Sequence, residues 1–130
     1  MRKITRIIIH CSDSDNLEHD NIQTVRRWHM ERGWKDIGYH YFICLNGDIK
    51  WGRAVETIGA HCRGYNADSI GICLSGKYRF SDAQYASLCL LLRKLMKKFS
   101  IKKNRIYPHN HYNKKKTCPN FNLKEILMRL

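Results

Sequence analysis

Residues 3–10 read Lys-Ile-Thr-Arg-Ile-Ile-Ile-His, a β-branched run that becomes wholly apolar from residue 7 to residue 9. This pattern is typical of a strand buried in the centre of a sheet, because branched side chains pack well on a pleated surface. Successive side chains alternate between the faces of a strand, so His10 and Cys11 are predicted to point in opposite directions. His10 ends this strand, at the sheet edge where ligand sites of α/β proteins gather. A hydrogen-bonded core histidine is the other interpretation of His10.

The segment after this strand carries a helix signature. Asp20 followed by Gln23 matches a capping box, which predicts a helix starting directly after Asp20, and Gly33 predicts its end. His29 falls on this helix. We interpret His29 and His19 as surface or boundary residues.

Two strand-like runs, residues 39–45 and 48–53, flank the dipeptide Asn46-Gly47. Asn-Gly favours positive backbone φ angles at both positions, as the two-residue type I′ turn requires. The sequence therefore predicts a β-hairpin with a type I′ turn.

The rest of the chain completes an alternating pattern of strands and helices. It predicts an irregular loop over 54–68, a strand over 69–74, a long amphipathic helix opened by the capping box Ser81–Gln84, a short strand near 105–107 and a last helix over 122–130. The order β-α-β-β-β-α-β-α predicts an α/β domain with a mixed sheet covered by helices. Since 130 residues leave room for one compact domain, we expect a single domain over 1–130.

The charge balance points to a polyanionic partner. The chain has 24 Lys and Arg against 11 Asp and Glu, a net charge of +13, which suits nucleic acid, an acidic membrane face or an anionic wall polymer. The apolar runs are far shorter than the roughly 20 residues that cross a bilayer, which excludes a membrane span. Charge also interrupts the basic start of the chain, so we expect no signal peptide and synthesis in the cytoplasm.

One loop concentrates the residues that bind metals. Five of the six cysteines lie in apolar or mixed segments and are expected to be free core residues, while Cys118 follows a lysine-rich loop. His109 and His111 lie in the same loop, and the only two prolines, Pro108 and Pro119, flank it and restrict its backbone.

Two chemistries fit this loop. Two imidazoles and one thiolate suit a tetrahedral Zn²⁺ with a fourth position left for water, the arrangement of a catalytic zinc. Alternatively, the Cys118 thiolate is a nucleophile with a histidine base, since the run 114–116 of three lysines would lower a thiol pKa.

Four segments of the chain carry a resemblance to a known family. They are Ile9-His10-Cys11-Ser12, the stretch from Arg27-Trp28-His29 to Gly38-Tyr39-His40-Tyr41, the stretch from Gly59-Ala60-His61 to Gly71-Ile72, and Lys116-Thr117-Cys118-Pro119. In order and spacing they resemble the type 2 N-acetylmuramoyl-L-alanine amidases, the family of the coliphage lysozyme-type amidases and the animal peptidoglycan-recognition proteins. The resemblance implies a mixed, mostly five-stranded sheet flanked by helices. It also implies one Zn²⁺ and cleavage of the amide between the lactyl group of N-acetylmuramic acid and L-alanine.

The resemblance also implies a zinc ligand set. The first zinc histidine falls on His10, the second on His109, and the zinc cysteine on Cys118. The loop departs from the family pattern, because it is one residue longer than in phage relatives and has Pro108 where a glycine is usual. This departure keeps His111 open as the second histidine.

Catalytic and substrate-binding residues follow from the same resemblance. The catalytic tyrosine falls on Tyr39 and the catalytic lysine on Lys116, while His61 and Asn66 match positions that line the glycan-peptide groove. A fixed ammonium at Lys116 would stabilise the oxyanion. A phenol with a pKa near 10 is a poor base at neutral pH, so Tyr39 is assigned positioning and proton transfer.

The leading prediction is a zinc amidase of the phage or prophage lysis type that needs a pore or lysis to reach the cell wall. A non-catalytic peptidoglycan-binding module is one alternative, although such members typically lack the zinc cysteine. A cytoplasmic amidase that recycles muropeptides is another. A nucleic-acid or polymerase partner is a further alternative, prompted by the charge and by the resemblance to a phage amidase that also inhibits a polymerase. We expect a monomer.

Overall fold

The computed structural model describes residues 2–130. Its elements, in chain order, are β1 (Arg6–Cys11), a 3₁₀ turn (Leu17–His19), α1 (Ile22–Glu31), β2 (Tyr41–Ile43), β3 (Ile49–Trp51), β4 (Ser69–Leu74), α2 (Asp82–Phe99), a second 3₁₀ turn (Lys103–Arg105), β5 (Ile106–Pro108), α3 (His109–Tyr112) and α4 (Leu123–Leu127). The strands form one five-stranded sheet in the order β3-β2-β4-β1-β5.

The sheet is mixed, as the sequence predicts. Strand β1 pairs in parallel with both β4 and β5, and β2 pairs in parallel with β4. Only the pair of β2 and β3 is antiparallel, because a hairpin joins these two strands. The parallel strands leave the sheet at the same edge, so the segments that follow β1 and β5 are neighbours.

Each face of the sheet packs against its own helices. Alternate residues of β1 and β4, such as Ile7, Ile9 and Ile72, form a large core with α2 and α4. The other face, which includes Cys73 and Phe42, packs under α1. His10 pairs in register with Cys73. The pleat therefore puts His10 on the α1 face, away from the larger core.

The helix starts agree with the sequence at one cap and differ at the other. At α2, Ser81 and Gln84 form the predicted capping box. At α1, the N-cap is Asn21, whose side chain accepts a hydrogen bond from the Thr24 amide. Asp20 instead accepts a 3.0 Å hydrogen bond from the Leu45 amide. The predicted cap at Asp20 was wrong because the hairpin uses its carboxylate.

The predicted hairpin is present, but its turn type is different. The Cys44 amide donates to the carbonyl of Asp48, and the Gly47 amide donates to the carbonyl of Cys44, which leaves a three-residue loop. Gly47 has a φ of +92°, whereas the non-glycine residues with positive φ in the described chain are Asp13 and Ser100. Since a type I′ turn needs positive φ at both central residues, Asn46 excludes it.

The cysteines follow the prediction. All six are free; Cys118 is half-buried, and the other five are buried. Across residues 2–130, no helix is both long enough and apolar enough to cross a bilayer.

Candidate active site

Two parallel strands bring the first two candidate ligands together. His10 is the penultimate residue of β1, and His109 follows directly after β5. Because β1 and β5 pair in parallel, with Ile9 opposite Pro108, both histidines lie at one edge of the sheet. Their ring centroids are 4.4 Å apart.

Cys118 completes a three-residue cluster at this edge. One donor atom from each of His10, His109 and Cys118 lies within 4.8 Å of the other two. The Cys118 loop is held in place by hydrogen bonds from the Cys11 amide to Cys118 Sγ (2.7 Å) and from the Asn110 amide to the Cys118 carbonyl (3.0 Å). Two nitrogens and a sulfur this close fit Zn²⁺, whose ligand atoms in a tetrahedral site are about 3.5 Å apart.

The electrostatics of the cluster favour neutral imidazoles. Burial, with His61 and His109 nearby, lowers the pKa of His10 well below its ordinary value. Burial, together with the Lys116 ammonium, also lowers the pKa of His109. A hydrogen bond with the Cys11 side chain, together with burial, raises the pKa of the Cys118 thiol. A divalent cation would oppose this last effect, because the thiolate is the form that binds metal.

His111 lies outside the cluster. Its ring stacks on Tyr107 with centroids 4.7 Å apart and also contacts Tyr112. His109 and His111 are two positions apart in α3. Because a helix turns by about 100° per residue, the two histidines point in different directions.

Tyr39 lies beside His10, with ring centroids 5.0 Å apart. Its backbone carbonyl accepts a hydrogen bond from the Arg53 amide, which ties the tyrosine to the loop after β3. Burial, and to a lesser extent the thiols of Cys73 and Cys118, raises the pKa of the Tyr39 phenol well above its ordinary value. The phenol therefore keeps its proton at neutral pH and can donate a hydrogen bond.

A cavity of about 510 Å³ opens at the cluster. Tyr39, His61, His109, Lys116 and Cys118 are among the residues that line it. Further aromatic and basic side chains continue its walls: Trp28, Arg32, Trp34, Lys77, Tyr78 and Lys115. The cavity thus joins the candidate metal ligands to a cationic and aromatic surface.

The two predicted groove residues differ in their surroundings. His61 is buried at the inner wall of the cavity, and its Nδ1 lies 2.9 Å from His10 Nε2. Asn66 uses its side-chain oxygen to accept hydrogen bonds from the amides of His61 and Cys62. Asn66 therefore shapes the loop that carries His61, and its contact with a ligand stays a prediction.

His29 is a residue whose role sequence reasoning missed. It is buried, although the sequence predicts a surface or boundary residue, and its Nδ1 accepts a 2.8 Å hydrogen bond from the Gly38 amide. Its ring also contacts those of Trp34 and Tyr39. Burial, with Arg32 and Arg53 nearby, lowers the pKa of His29 to about 4. The position of His29 on the apolar side of α1, one residue after Trp28, was the available signal.

This fold and this cluster agree with the family comparison. The family model for N-acetylmuramoyl-L-alanine amidase matches residues 1–121, and the chain belongs to this family. It is 36% identical over 126 residues to the endolysin of Escherichia phage T7, covering 91% of this chain and 82% of that protein. It is 32% identical over 131 residues to the endolysin of Klebsiella phage KP32, covering 95% and 85% of the two chains.

Solved structures give the same result. The N-acetylmuramoyl-L-alanine amidase LysC from Clostridium intestinale superimposes with a TM-score of 0.89 at 31% identity, over 98% of this chain and 85% of that one. Drosophila peptidoglycan recognition protein LB superimposes with a TM-score of 0.77 at 28% identity, over 92% and 76%. The expected fold class and family are thereby confirmed.

Proposed function

We propose that this chain is a zinc-dependent endolysin that hydrolyses the amide between the lactyl group of N-acetylmuramic acid and L-alanine in peptidoglycan. His10, His109 and Cys118 would hold the zinc. The observation that carries the proposal is the approach of these three donor atoms to within 4.8 Å, at a cavity that Tyr39 and Lys116 also line.

The residues around the cluster suit amide hydrolysis. A Zn²⁺ held by His10, His109 and Cys118 would supply a nucleophile at neutral pH, by lowering the pKa of water to about 7, and would polarise the scissile carbonyl. The Lys116 ammonium stabilises the negative charge that develops on the carbonyl oxygen. The protonated Tyr39 phenol would donate a hydrogen bond at the reacting centre, pass its proton to the leaving amine and regain one from the attacking water.

The walls of the cavity suit a glycopeptide. Trp28, Trp34 and Tyr78 offer flat apolar surfaces, and Arg32 and Lys77 offer positive charge for the free carboxylates of a stem peptide. We assign His61 and Asn66 to this groove as well, Asn66 through the loop that it holds. All of these residues come from one chain, so a monomer is sufficient.

The endolysin relatives support a role in cell-wall lysis over a role in recycling. We therefore propose that the protein acts on the wall after release through a pore or lysis. The presence of Cys118, Lys116 and Tyr39 supports an enzyme over a binding module that only recognises peptidoglycan.

Mass spectrometry of digested murein tests this proposal. We expect peptides with a new amino-terminal L-alanine from the wild-type chain and none from a Cys118→Ala variant. Cleavage within the glycan strand would contradict the assignment. Preferred cleavage of soluble anhydro-muropeptides over intact sacculi would indicate the recycling enzyme instead.

Metal removal tests the zinc requirement separately. Exhaustive chelation is expected to abolish amidase activity, and stoichiometric Zn²⁺ is expected to restore it, because the nucleophile depends on the metal. Activity that survives chelation would favour the alternative in which Cys118 is the nucleophile.

A further inference from the structure

His61 occupies a space that two glycines create. A Cβ added at Gly71 would lie 2.5 Å from Cγ of the His61 ring, and one added at Gly59 would lie 2.8 Å from its Cδ2. Both distances are too short for any side chain, so the His61 imidazole can occupy this space only because both positions are glycine. The hydrogen-bond partners of Nδ1 and Nε2 select one of the two orientations that differ by a 180° flip of this ring.

A series of three hydrogen bonds runs from the backbone of Tyr65, through Ser69 and the His61 ring, to His10 of the candidate metal cluster. The Ser69 hydroxyl donates to the carbonyl of Tyr65 at 2.6 Å. Ser69 Oγ also lies 3.1 Å from His61 Nε2, and His61 Nδ1 lies 2.9 Å from His10 Nε2. Ser69 and His10 are both fully buried, which protects their ends of these hydrogen bonds from water.

The proton positions in this series of hydrogen bonds follow from counting the hydrogens that each group can donate. A hydroxyl has one hydrogen, and Ser69 gives its hydrogen to Tyr65, so Ser69 Oγ can only accept from His61 Nε2–H. A neutral His61 protonated at Nε2 has its lone pair on Nδ1, which must accept from His10 Nε2–H. His10 then carries its own lone pair on Nδ1, the one nitrogen left to bind a cation.

We propose that Ser69 and His61 are positioning residues that hold His10 as the Nε2–H tautomer and so present Nδ1 as the metal ligand before any metal binds. This inference rests on the proposed zinc site. Metal-binding histidines commonly donate their second ring N–H to a neighbouring acceptor, which fixes both tautomer and ring orientation. Here the acceptor is His61. Its tautomer is set by Ser69, whose hydroxyl hydrogen is already donated to the Tyr65 carbonyl.

The tautomers can be read directly by NMR. In the full chain labelled with ¹⁵N-histidine, long-range ¹H–¹⁵N correlations distinguish Nε2–H from Nδ1–H rings. We expect His10 and His61 to be Nε2–H tautomers in the zinc-loaded protein and also after chelation. A His10 ring protonated at Nδ1 after chelation would overturn the proposal, and so would coordination through His10 Nε2.

Zinc affinity, measured by competition with a chelator at constant pH, provides the second test. Asn and Leu have the same shape, but only Asn places an oxygen where His61 has Nδ1. We expect His61→Leu to weaken zinc binding about 10- to 100-fold. His61→Asn should retain most of the affinity, because its oxygen accepts from His10 Nε2–H.

Equal affinity of His61→Leu and wild type, with both chains folded by circular dichroism, would refute the positioning role. Equal loss in both variants would also refute it, because the acceptor would then be irrelevant. If either variant fails to fold, the NMR measurement on the wild-type chain still decides. Failure of the proposed function looks different, since the wild-type chain itself would then bind no zinc or release no L-alanine terminus.

Discussion

The backbone amide of Cys11 donates a 2.7 Å hydrogen bond to Sγ of Cys118, which lies 107 residues later in the chain. An amide that points at sulfur stabilises the thiolate, the form that binds a metal. The last residues of β1 therefore act twice at the site, once through the His10 side chain and once through the Cys11 backbone. Neighbouring residues can do both because a backbone N–H points along the plane of the sheet, whereas the His10 side chain leaves its face.

The choice between the two loop histidines can be tested by a matched pair of variants. His109→Ala is expected to weaken zinc binding by about two orders of magnitude or more, because it removes one of three protein ligands. His111→Ala should bind one zinc like the wild type, because His111 stacks on Tyr107 away from the cluster. Zinc content measured by mass spectrometry after dialysis separates the two. The opposite ranking would make His111 the ligand.

His29 should make the fold sensitive to mild acid. Its pKa is about 4 in the folded chain, against about 6.5 when unfolded. The unfolded state therefore binds more protons below pH 6.5, and the stability contributed by neutral His29 is lost as the pH falls from about 6.5 towards 4. We expect the free energy of unfolding to fall by about 1–2 kcal/mol between pH 7 and pH 5 for this reason.

The variant His29→Asn isolates that effect. Asn keeps an acceptor for the Gly38 amide but does not titrate, so the free energy of unfolding should fall less between pH 7 and pH 5 than in the wild type. Urea denaturation with a chelator in every buffer measures the difference without a contribution from metal release. Parallel pH profiles for the two chains would show that His29 is not responsible.

Asp15 is expected to control substrate binding through the loop after β4. Its carboxylate accepts hydrogen bonds from the amides of Lys77 (2.8 Å), Tyr78 (3.1 Å) and Arg79 (3.1 Å). Lys77 and Tyr78 line the cavity, so Asp15→Ala should loosen that wall. We predict a KM that rises several-fold with little change in kcat.

Asp48→Ala provides the control for Asp15, because it makes the same change in net charge at the exposed hairpin turn. Its KM should match that of the wild type. A similar rise in KM for both variants would mean that charge, and not the 77–79 loop, sets the affinity.

The positive charge predicts salt-dependent recruitment to the cell wall. With a net charge of +13, attraction to an anionic wall should weaken as salt rises, because the Debye length falls to about 10 Å at 0.1 M. Binding can be measured with metal-free protein, which is expected not to digest the wall, by pelleting it with purified sacculi. The bound fraction should drop between low and physiological salt. A constant bound fraction would show that contacts within the cavity, and not long-range charge, hold the protein on the wall.

The sequence predicts most of the fold because its signals are local. Ser81 and Gln84 are one turn apart, and their capping box forms as the pattern indicates. Asn46-Gly47 likewise marks a hairpin, but the turn type depends on whether Cys44 pairs with Asp48, which is set by the strands. Asp20 and Asn21 are both good helix caps, and the distant Leu45 amide decides between them.

The residues of the candidate site also differ in how far the sequence predicts them. Resemblance to a family suggested His10, His109 and Cys118, and the structure brings them together. The hydrogen bonds of His29 and His61 cannot be predicted from the sequence, because their partners come together only in the folded chain. His61 lies 51 residues from His10, and no local pattern records that contact.

The order of the strands has a consequence for biosynthesis. Strand β5 is an edge strand and the last one made, yet it pairs with β1, the first, and carries His109 to the cluster. A ribosome-bound chain that has not reached residue 109 has His10 and Tyr39 but neither His109 nor Cys118. The candidate metal cluster can therefore form only after residue 118 has been synthesised and β5 has paired with β1.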